Sequence, residues 1–499
     1  MNRSSLASAL FACAGAVICV ASTSANALDF TDLEGWWSAE PTHAGASARV
    51  LVQFVQEGDK QLARLTLPSI AAYDMSMGAV LIEGTTVEME ALTFPLAYDA
   101  SERTLSGTLP EEVVPAYRIP VSFRRSEPFT RAAPPTWSFP KPRVIWRAAV
   151  GAPVWAGLER DAESKLVFVG TDAGVLHAIG EDGLSQWTFE TGRAIKARPA
   201  VIDDALFVVS DSGELFKLDK RTGVERWRAR IDTGGPARIA VTDSQTRWDR
   251  YASSVVADAE RVYVGSRDGH LYALDRASGR GIWKAASKDL VTSTPTLLGD
   301  LVVFASFDGS VQALRAEDGT REWLYESSQP ISGDLVADGD RIFAGSRTYD
   351  LLALDARTGV ERWRHYYWFS WVESPPVVRD GVVYTGSSDA TAVYAIDAST
   401  GERRWKTSVP GYAWARTAMD ERMVVAGTVG QGPHPGRREG ALVAIDRDSG
   451  KILWLHLEPP SQATVDKKEE WGFASSPVIA DDIAYAADLN GVLHAIATR

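Results

Sequence analysis

A turn followed by a tryptophan recurs seven times after about residue 146 and restricts the possible folds more than any other feature. A glycine stands four residues before the tryptophan in each copy, as in "YALDRASGRGIW" and "LALDARTGVERW". The copies end at Trp187, Trp227, Trp283, Trp323, Trp363, Trp405 and Trp454, and Trp146 precedes them without a turn of its own. Most of these tryptophans are 40 to 42 residues apart, which indicates a repeat architecture.

Each repeat reads as four short antiparallel strands, because a β-rich run and a Gly/Asp turn, as in "VYVGSRDG", precede each tryptophan turn. Units of this size are typical of β-propeller blades. The last segment, "IAYAADLNGVLHAIATR", lacks a tryptophan strand, whereas "RVIW" is a tryptophan strand without partners. Joined, they complete one blade from both ends of the chain. The sequence therefore predicts an all-β eight-bladed propeller over residues 143–499, with the eight repeat tryptophans packed between blades.

The region before the propeller divides into three parts. Residues 1–27 resemble a cleaved export signal, with an apolar run from Leu6 to Val20 and a cleavage pattern ending at Ala27. Residues 28–127 alternate in polarity, which predicts a small antiparallel β-sandwich or barrel. Residues 128–142 contain five prolines and are expected to form an extended linker.

Charge and cysteine content narrow the function. The net charge of −13 disfavours nucleic acid as a partner, and no later segment is apolar enough to span a membrane. Both cysteines, Cys13 and Cys19, lie within the predicted signal, so the mature chain would have no disulfide and no thiol nucleophile. We expect a periplasmic, monomeric propeller.

The repeat A-x-D-x-x-(T/S)-G-x-x-x-W resembles the tryptophan-docking motif of pyrroloquinoline-quinone (PQQ)-type, or quinoprotein-type, eight-bladed propellers. That family includes quinoprotein dehydrogenases, sensor domains of bacterial kinases and the propeller subunit of the outer-membrane barrel-assembly machinery. The resemblance implies the fold, but it leaves open whether the protein is an enzyme or a binding module.

The two faces of the predicted propeller differ in loop length. The D-x-x-x-G turns keep one length, so their face is plain. Insertions at residues 232–254, 428–440 and 457–473 all fall on the opposite face. Long loops gathered on one rim of a scaffold favour a functional surface there.

The links between blades are expected to bring polar and aromatic residues to the channel mouth on the loop-rich face. A stretch of particular interest is "HYYWFSWVESPP", in which we expect His365 to Trp368 to pack between blades. The predicted ligand-binding residues are Trp155, Lys196, Arg198, Asp334, Trp371, Glu373, Trp414, Arg416 and Trp471. They could form a small-molecule pocket or ion pairs that fasten the blades, such as Glu373 with Arg416 or Lys196.

A dehydrogenase is the alternative function. The resemblance implies PQQ held between a tryptophan and a vicinal disulfide, with calcium and a carboxylate base. Asp334 or Glu373 could act as the base, and Trp371, Trp414 or Trp471 as the shelf, but the cysteines are missing and no calcium ligands can be carried over. Histidine spacing predicts no metal site, and His434 stands alone in its loop.

We therefore expect no catalytic residues and no cofactor. The predicted function is that of an exported binding or scaffold module for a periplasmic or outer-membrane protein, or for a small ligand. A PQQ-dependent alcohol or sugar dehydrogenase is the alternative.

Overall fold

A computed structural model of the protein describes residues 28–499, except 110–113, 115, 134, 233, 236–237, 239–248, 432–437, 461–463 and 465–468. The predicted signal therefore lies outside the described residues. Two compact units divide the chain between Pro134 and Pro135. Among the described helices, none is long and apolar enough to cross a membrane.

The first unit is a closed eight-stranded barrel, which decides between the sandwich and the barrel left open by the sequence. A short helix, α1 (Phe30–Leu33), precedes it, and Asp29 caps that helix. The strands are β1 (Gly35–Ala39), β2 (Thr42–His43), β3 (Ala46–Ser47), β4 (Val50–Glu57), β5 (Lys60–Leu67), β6 (Ala72–Glu83), β7 (Thr86–Met89), β8 (Leu92–Asp99), β9 (Thr104–Leu109) and β10 (Ile119–Ser126). Their order around the barrel is β1-β10-β9-β8-β7-β6-β5-β4, and β2 pairs with β3 outside it. Trp37, Phe54 and Phe123 fill the barrel core.

The second unit is the predicted eight-bladed propeller, with the first strand of each blade innermost. Blades 1 to 3 are β12 (Glu159–Asp161), β13 (Leu166–Gly170), β14 (Val175–Ile179), β15 (Ser185–Glu190); β16 (Ala200–Ile202), β17 (Ala205–Ser210), β18 (Glu214–Asp219), β19 (Glu225–Arg230); and β20 (Val255–Ala257), β21 (Arg261–Gly265), β22 (His270–Asp275), β23 (Gly281–Ala286). Blades 4 and 5 are β24 (Thr296–Leu298), β25 (Leu301–Ala305), β26 (Ser310–Arg315), β27 (Arg321–Glu326); and β28 (Val336–Asp338), β29 (Arg341–Gly345), β30 (Asp350–Asp355), β31 (Glu361–Tyr366).

Blades 6 and 7 continue the pattern, and blade 8 closes the ring. Blade 6 is β32 (Val377–Arg379), β33 (Val382–Gly386), β34 (Ala392–Asp397), β35 (Arg403–Ser408), and blade 7 is β36 (Ala418–Met419), β37 (Met423–Gln431), β38 (Ala441–Asp446), β39 (Ile452–Leu457). An extra strand, β40 (Glu470–Gly472), pairs with the extended end of β37. Blade 8 combines β41 (Val478–Ala480), β42 (Ile483–Ala487) and β43 (Val492–Ala497) with β11 (Val144–Ala149) from the other end of the chain, as predicted.

The repeat tryptophans dock each blade onto the next, which confirms their predicted packing role. A Cβ atom added to Gly359 would lie 2.4 Å from Cε3 of Trp323, so the indole covers the glycine of the next blade's turn. The glycine also has φ of +69°, a conformation that side chains disfavour. The Trp323 indole donates a hydrogen bond to the Ala356 carbonyl at 3.2 Å. Glycine and tryptophan therefore recur together because neither could change without its partner in the adjacent blade.

The aspartate of each D-x-x-x-G turn holds that turn locally. Asp355 accepts hydrogen bonds from the backbone amides of Arg357 and Thr358 at 3.0 and 2.9 Å. Arg362, seven residues later, donates to the other carboxylate oxygen at 2.5 Å. These contacts lie within one hairpin, so the plain face is built from local sequence.

Candidate functional site at the channel mouth

The aromatic stretch from His365 divides between the core and the mouth. His365 bonds the Gly401 carbonyl at 3.0 Å, and the ring of Tyr367 lies 4.2 Å from that of Tyr394 in the next blade. These side chains are buried between blades 5 and 6, as expected. Trp371 and Glu373 continue into the link that reaches the mouth.

Glu373 forms a buried ion pair with Arg347. The Arg347 Nε and Nη2 atoms donate to Glu373 Oε1 at 2.8 and 2.5 Å, and only 3% and 9% of the two side chains are exposed. The expected pairing of Glu373 with Arg416 or Lys196 is therefore wrong. That expectation considered only the links, whereas Arg347 comes from the turn between the second and third strands of blade 5.

Lys196 also pairs with a residue of such a turn. Its Nζ lies 2.6 Å from Asp172 Oδ1, and it also lies over the Trp155 ring, 5.5 Å from the centroid. Burial lowers the pKa of Lys196, and the Asp172 carboxylate opposes that shift. The Lys196 ammonium group thus lies between the Asp172 carboxylate and the Trp155 ring, both of which belong to blade 1 or to the link that enters it.

The residues missed at the mouth share one place in the repeat. They follow the serine or threonine that lies at or directly after the end of the second strand, and they include Asp172, Asp211, Arg267, Arg347 and Ser388. Reading that position across the repeats would have identified them, because the turns and the links share one face of the propeller.

Trp414 and Trp371 meet through Ser388. The Trp414 indole donates to Ser388 Oγ at 3.1 Å, and the Ser388 amide donates to the Trp371 carbonyl at 3.1 Å. The Trp414 ring stacks on Tyr412 with 4.6 Å between centroids and 11° between planes. Arg438 donates a hydrogen bond to the Tyr412 hydroxyl.

Trp471 lies in the hairpin added to blade 7. Cβ atoms built on Gly430 and Gly440 would lie 2.3 and 2.8 Å from its ring atoms, so these glycines admit the indole. The side chain is 4% exposed and fills the space between β37, β40 and the start of β38. This packing accounts for Trp471 without a ligand.

Two of the predicted insertions meet across the mouth. Arg250 donates to Glu470 at 3.0 Å, and Tyr251 donates its hydroxyl proton to the Ala474 carbonyl at 3.2 Å. These residues lie on the links that enter blades 3 and 8, three steps apart around the ring. We call the four residues Arg250, Tyr251, Glu470 and Ala474 the mouth clasp.

Tyr251 occupies the centre of the clasp. Its ring makes an edge contact with Trp155 of the link into blade 1, at 6.3 Å between centroids. Burial raises the pKa of its hydroxyl, and the carboxylates of Glu373 and Glu470 add to the shift. Residues of the links into blades 1 and 8 therefore contact this single side chain.

Arg198, Asp334 and Arg416 form a second layer, beside the first strands of their blades. Arg198 Nη1 donates to Glu159 Oε2 at 3.0 Å, and Asp334 accepts from the Thr294 amide at 2.8 Å. Burial and the nearby Arg198 lower the pKa of Arg416, whereas the carboxylates of Asp334 and Glu159 oppose this shift. Glu159 was not predicted, because it is the first residue of β12 and lies two residues beyond the position that corresponds to Arg198.

Neighbouring blades are also bonded to one another in this layer. The amide of Ser254 donates to Thr294 Oγ1 at 3.0 Å, and the Arg416 amide donates to Ser476 Oγ at 3.2 Å. Each acceptor is a side chain at the corresponding position of a following blade. The predicted site residues thus divide into a mouth layer and an inner layer, both rich in internal bonds.

The described residues depart from the PQQ site that the resemblance implied in their aromatic rings, their carboxylates and their cysteines. A planar cofactor needs a free aromatic face, but Arg347 lies 4.6 Å from the Trp371 centroid and Tyr412 covers one face of Trp414. Glu373 is bound to Arg347, and Asp334 to a backbone amide. The vicinal cysteine pair is absent from the sequence.

A shallow groove of about 750 Å³ lies on the plain face. Charged residues of both signs line it, among them Asp258, Arg261, Glu317, Glu322 and Arg357. These residues come from the turns of blades 3 to 5. The groove is thus remote in the fold from the predicted mouth site, and its polar, open lining is unlike an apolar ligand pocket.

The family model described as outer membrane protein assembly factor BamB matches residues 140–250, 242–367 and 353–499. These segments cover the whole propeller. A quinohemoprotein alcohol dehydrogenase of Comamonas testosteroni is 26% identical over 325 residues, covering 62% of this chain and 39% of the relative. Outer membrane protein assembly factor BamB of Shewanella oneidensis is 28% identical over 171 residues, covering 32% of this chain and 40% of the relative.

The crystal structure of BamB from Moraxella catarrhalis resembles this fold with a TM-score of 0.55 at 16% identity. The match covers 71% of this chain and 99% of that one. At that identity the likeness concerns the fold alone. The chain spans about 40% of the length of the curated relatives it matches.

Proposed function

Because this chain belongs to the PQQ-like propeller family whose model is described as outer membrane protein assembly factor BamB, we propose that it is a non-catalytic binding module for another protein. The partner would dock on the loop-rich face, around the mouth clasp. The propeller supplies a rigid ring, and the insertions supply the contact surface.

The mouth clasp is the observation that carries this proposal. Arg250 and Glu470 belong to distant links but bond at 3.0 Å, and Tyr251 contacts Trp155 and Ala474 of the links into blades 1 and 8. The ion pairs Lys196–Asp172 and Arg347–Glu373 lie beside it. Mouth side chains that bond one another form a rigid, preorganised surface, which favours docking from outside over capture of a ligand inside.

The names of the relatives support a protein partner without identifying it. Two of them are outer membrane protein assembly factors, and others are alcohol dehydrogenases. The geometry of the mouth favours the first class. We propose further that residues 1–27 direct export, and that the partner is a periplasmic or outer-membrane protein.

Site-specific photocrosslinking in the periplasm tests the proposal. A photoreactive amino acid is placed at exposed positions of the loop-rich face, and at exposed positions of the plain face as a matched set. The first set is Arg193, Gly234 and Glu469, and the second set is Arg221, Arg357 and Thr400. We expect one discrete crosslinked protein from the first set and none from the second.

Equal crosslinking from both sets, or from the plain face only, would refute docking on the loop-rich face. A variant that removes the clasp, Arg250→Met with Glu470→Leu, is expected to weaken crosslinking at Glu469 while leaving the propeller folded. Circular dichroism and proteolysis check the fold of each variant.

A titration with PQQ and calcium tests the dehydrogenase alternative directly. The proposed binding module should show no bound chromophore at tens of micromolar PQQ and no dye-linked oxidation of alcohols. A saturable chromophore with alcohol-dependent dye reduction would replace our proposal with the enzymatic one.

A further inference from the structure

Two histidines and a glutamate converge where blade 7 meets blade 8. His456 lies on β39, the outer strand of blade 7, Glu458 follows that strand, and His494 lies on β43 of blade 8. One potential ligand atom from each residue lies within 4.8 Å of the other two. Imidazole nitrogen and carboxylate oxygen are the ligands of catalytic and accessible zinc sites.

His494 is held in an orientation suited to a metal. Its Nε2 lies 2.9 Å from Asp488 Oδ2, and the two side chains are 1% and 0% exposed. A carboxylate at one imidazole nitrogen fixes the tautomer, so the other nitrogen, Nδ1, keeps its lone pair. Histidines that bind metals usually have such a second partner.

Asp488 is an exception among the repeats. It directly follows the second strand of blade 8, at the position where the other seven blades have the serines and threonines Thr171, Ser210, Ser266, Ser306, Ser346, Ser387 and Thr428. Packing alone does not require a carboxylate at this position, since seven blades fold with a hydroxyl. The acid and His494 therefore form a unit that only the terminal blade has.

His456 supplies a nitrogen that the described residues leave without a hydrogen bond. Its Nε2 is buried, and Glu458 Oε2 lies 3.6 Å away, beyond hydrogen-bonding distance. Ligand atoms on a tetrahedral zinc ion are about 3.3 Å apart, because each bond is about 2.0 Å long. The pair thus needs only a small shift to share one ion.

Arg147 occupies the remaining side of the cluster. Its Nε donates to His494 Nδ1 at 3.2 Å, and its side chain projects from the exposed surface of β11. His456, His494 and Arg147 all hold the pKa of Glu458 below its usual value. A flexible guanidinium at this position can act as a cation that a metal ion would displace.

We propose that His456, Glu458 and His494 bind a divalent transition-metal ion of the zinc class. His456 would bind through Nε2, His494 through Nδ1 and Glu458 through a carboxylate oxygen, with water in the fourth position. The ion would connect blade 7 to the blade that joins the two ends of the propeller. Its binding would therefore stabilise the ring closure, because a ligand that binds only the folded state favours that state.

Titration of the full chain with Co²⁺ and Zn²⁺ tests this proposal. We expect a visible d–d absorption band from Co²⁺ at one ion per chain, which Zn²⁺ removes, and a rise in the melting temperature with Zn²⁺. The Arg147→Met variant should bind Zn²⁺ at least tenfold more tightly, since the competing cation is gone.

Two variants and one control complete the test. His456→Ala should lose the band and weaken Zn²⁺ binding at least tenfold, and the near-isosteric Glu458→Gln should weaken it even if the alanine variant folds poorly. His177→Ala serves as the control, because His177 holds the position of His494 in blade 1 and belongs to no such cluster among the residues that the structure describes. Absence of the band in both the wild type and Arg147→Met would overturn the proposal, as would unchanged binding in Glu458→Gln.

Discussion

The two faces of the propeller differ in how their acidic side chains are held, and strand β30 has one such side chain at each face. At its plain-face end, Asp355 bonds the backbone of its own turn and Arg362, and these bonds lower the pKa of its carboxyl to about 2. At its loop-rich end, Asp350 is fully buried, and burial raises the pKa of its carboxyl to about 8. The plain face repeats this aspartate-held turn in five of the eight blades, whereas the loop-rich face differs from blade to blade.

This difference separates contacts that recur in most blades, which hold the fold together, from contacts that occur at one place in the loop-rich face. Trp323 and Gly359 on the plain-face side have counterparts around the ring. Arg250 and Glu470, by contrast, come from two insertions in links that are 220 residues apart. Removing a repeated contact should lower the stability of the fold. Removing a contact that occurs once should alter the structure of the channel mouth.

The largest effect is expected from the docking tryptophans. Trp323→Ala removes an indole that is 8% exposed and leaves a cavity beside Gly359, which should lower the free energy of unfolding by about 4 kcal/mol. Chemical denaturation measures this loss. The control, Leu324→Ala, changes the neighbouring exposed side chain and should cost about 0.5 kcal/mol or less. Similar losses in both variants would contradict a docking role.

The next effect concerns the buried ion pair of the mouth. Glu373→Gln leaves the Arg347 guanidinium buried without its counter-charge, which should cost about 3 kcal/mol. Glu322→Gln is the matched control, because its pair with Arg315 is largely exposed and should contribute little to stability. Equal unfolding free energies for the two variants would show that the buried ion pair at the mouth does not stabilise the fold more than an exposed one.

The third effect is spread over several pH units: it is a pH dependence that differs in sign between the two ends of β30. Asp350 has a folded-state pKa of about 8, so its contribution is complete below pH 4 and is lost as the pH rises to 8. Asp350→Asn should therefore remove a slope of up to about 1.4 kcal/mol per pH unit in that window. Asp355, with its folded-state pKa of about 2, should stabilise above pH 4 and lose its effect as the pH falls towards 2.

Denaturation of the wild type, Asp350→Asn and Asp355→Asn between pH 3 and 8 measures both signs. Arg364 lies 3.6 Å from Asp350, so Arg364→Met serves as a control for the loss of a nearby charge. Parallel pH profiles for the two asparagine variants would contradict the contrast between the ends of the strand.

The sequence was sufficient for the fold because the repeat encodes local contacts. The blade count, the closure of blade 8 by β11 and the tryptophan packing were all predicted and are confirmed. The choice between a sandwich and a barrel in the first unit stayed open, because alternation alone does not distinguish the two. The positions of Lys196 and Trp155 in the links correctly predicted that the two residues lie close together.

The partners of these residues could not be read from the links alone. Glu373 pairs with Arg347 of a turn, and the mouth clasp joins two insertions whose lengths gave their face but not their contacts. Long-range pairs without periodicity leave no pattern in a single sequence. The binding role of the mouth residues therefore remains a proposal.

Closing the mouth covalently tests the central claim most directly. The chain has no cysteine after Cys19, so Arg250→Cys and Glu470→Cys can be bridged by a short bifunctional maleimide. With the photoreactive residue at Arg193, we predict that the bridged protein still captures its partner as efficiently as the unbridged one. Loss of capture on bridging would contradict docking on a closed mouth, and would show that the mouth must open to act.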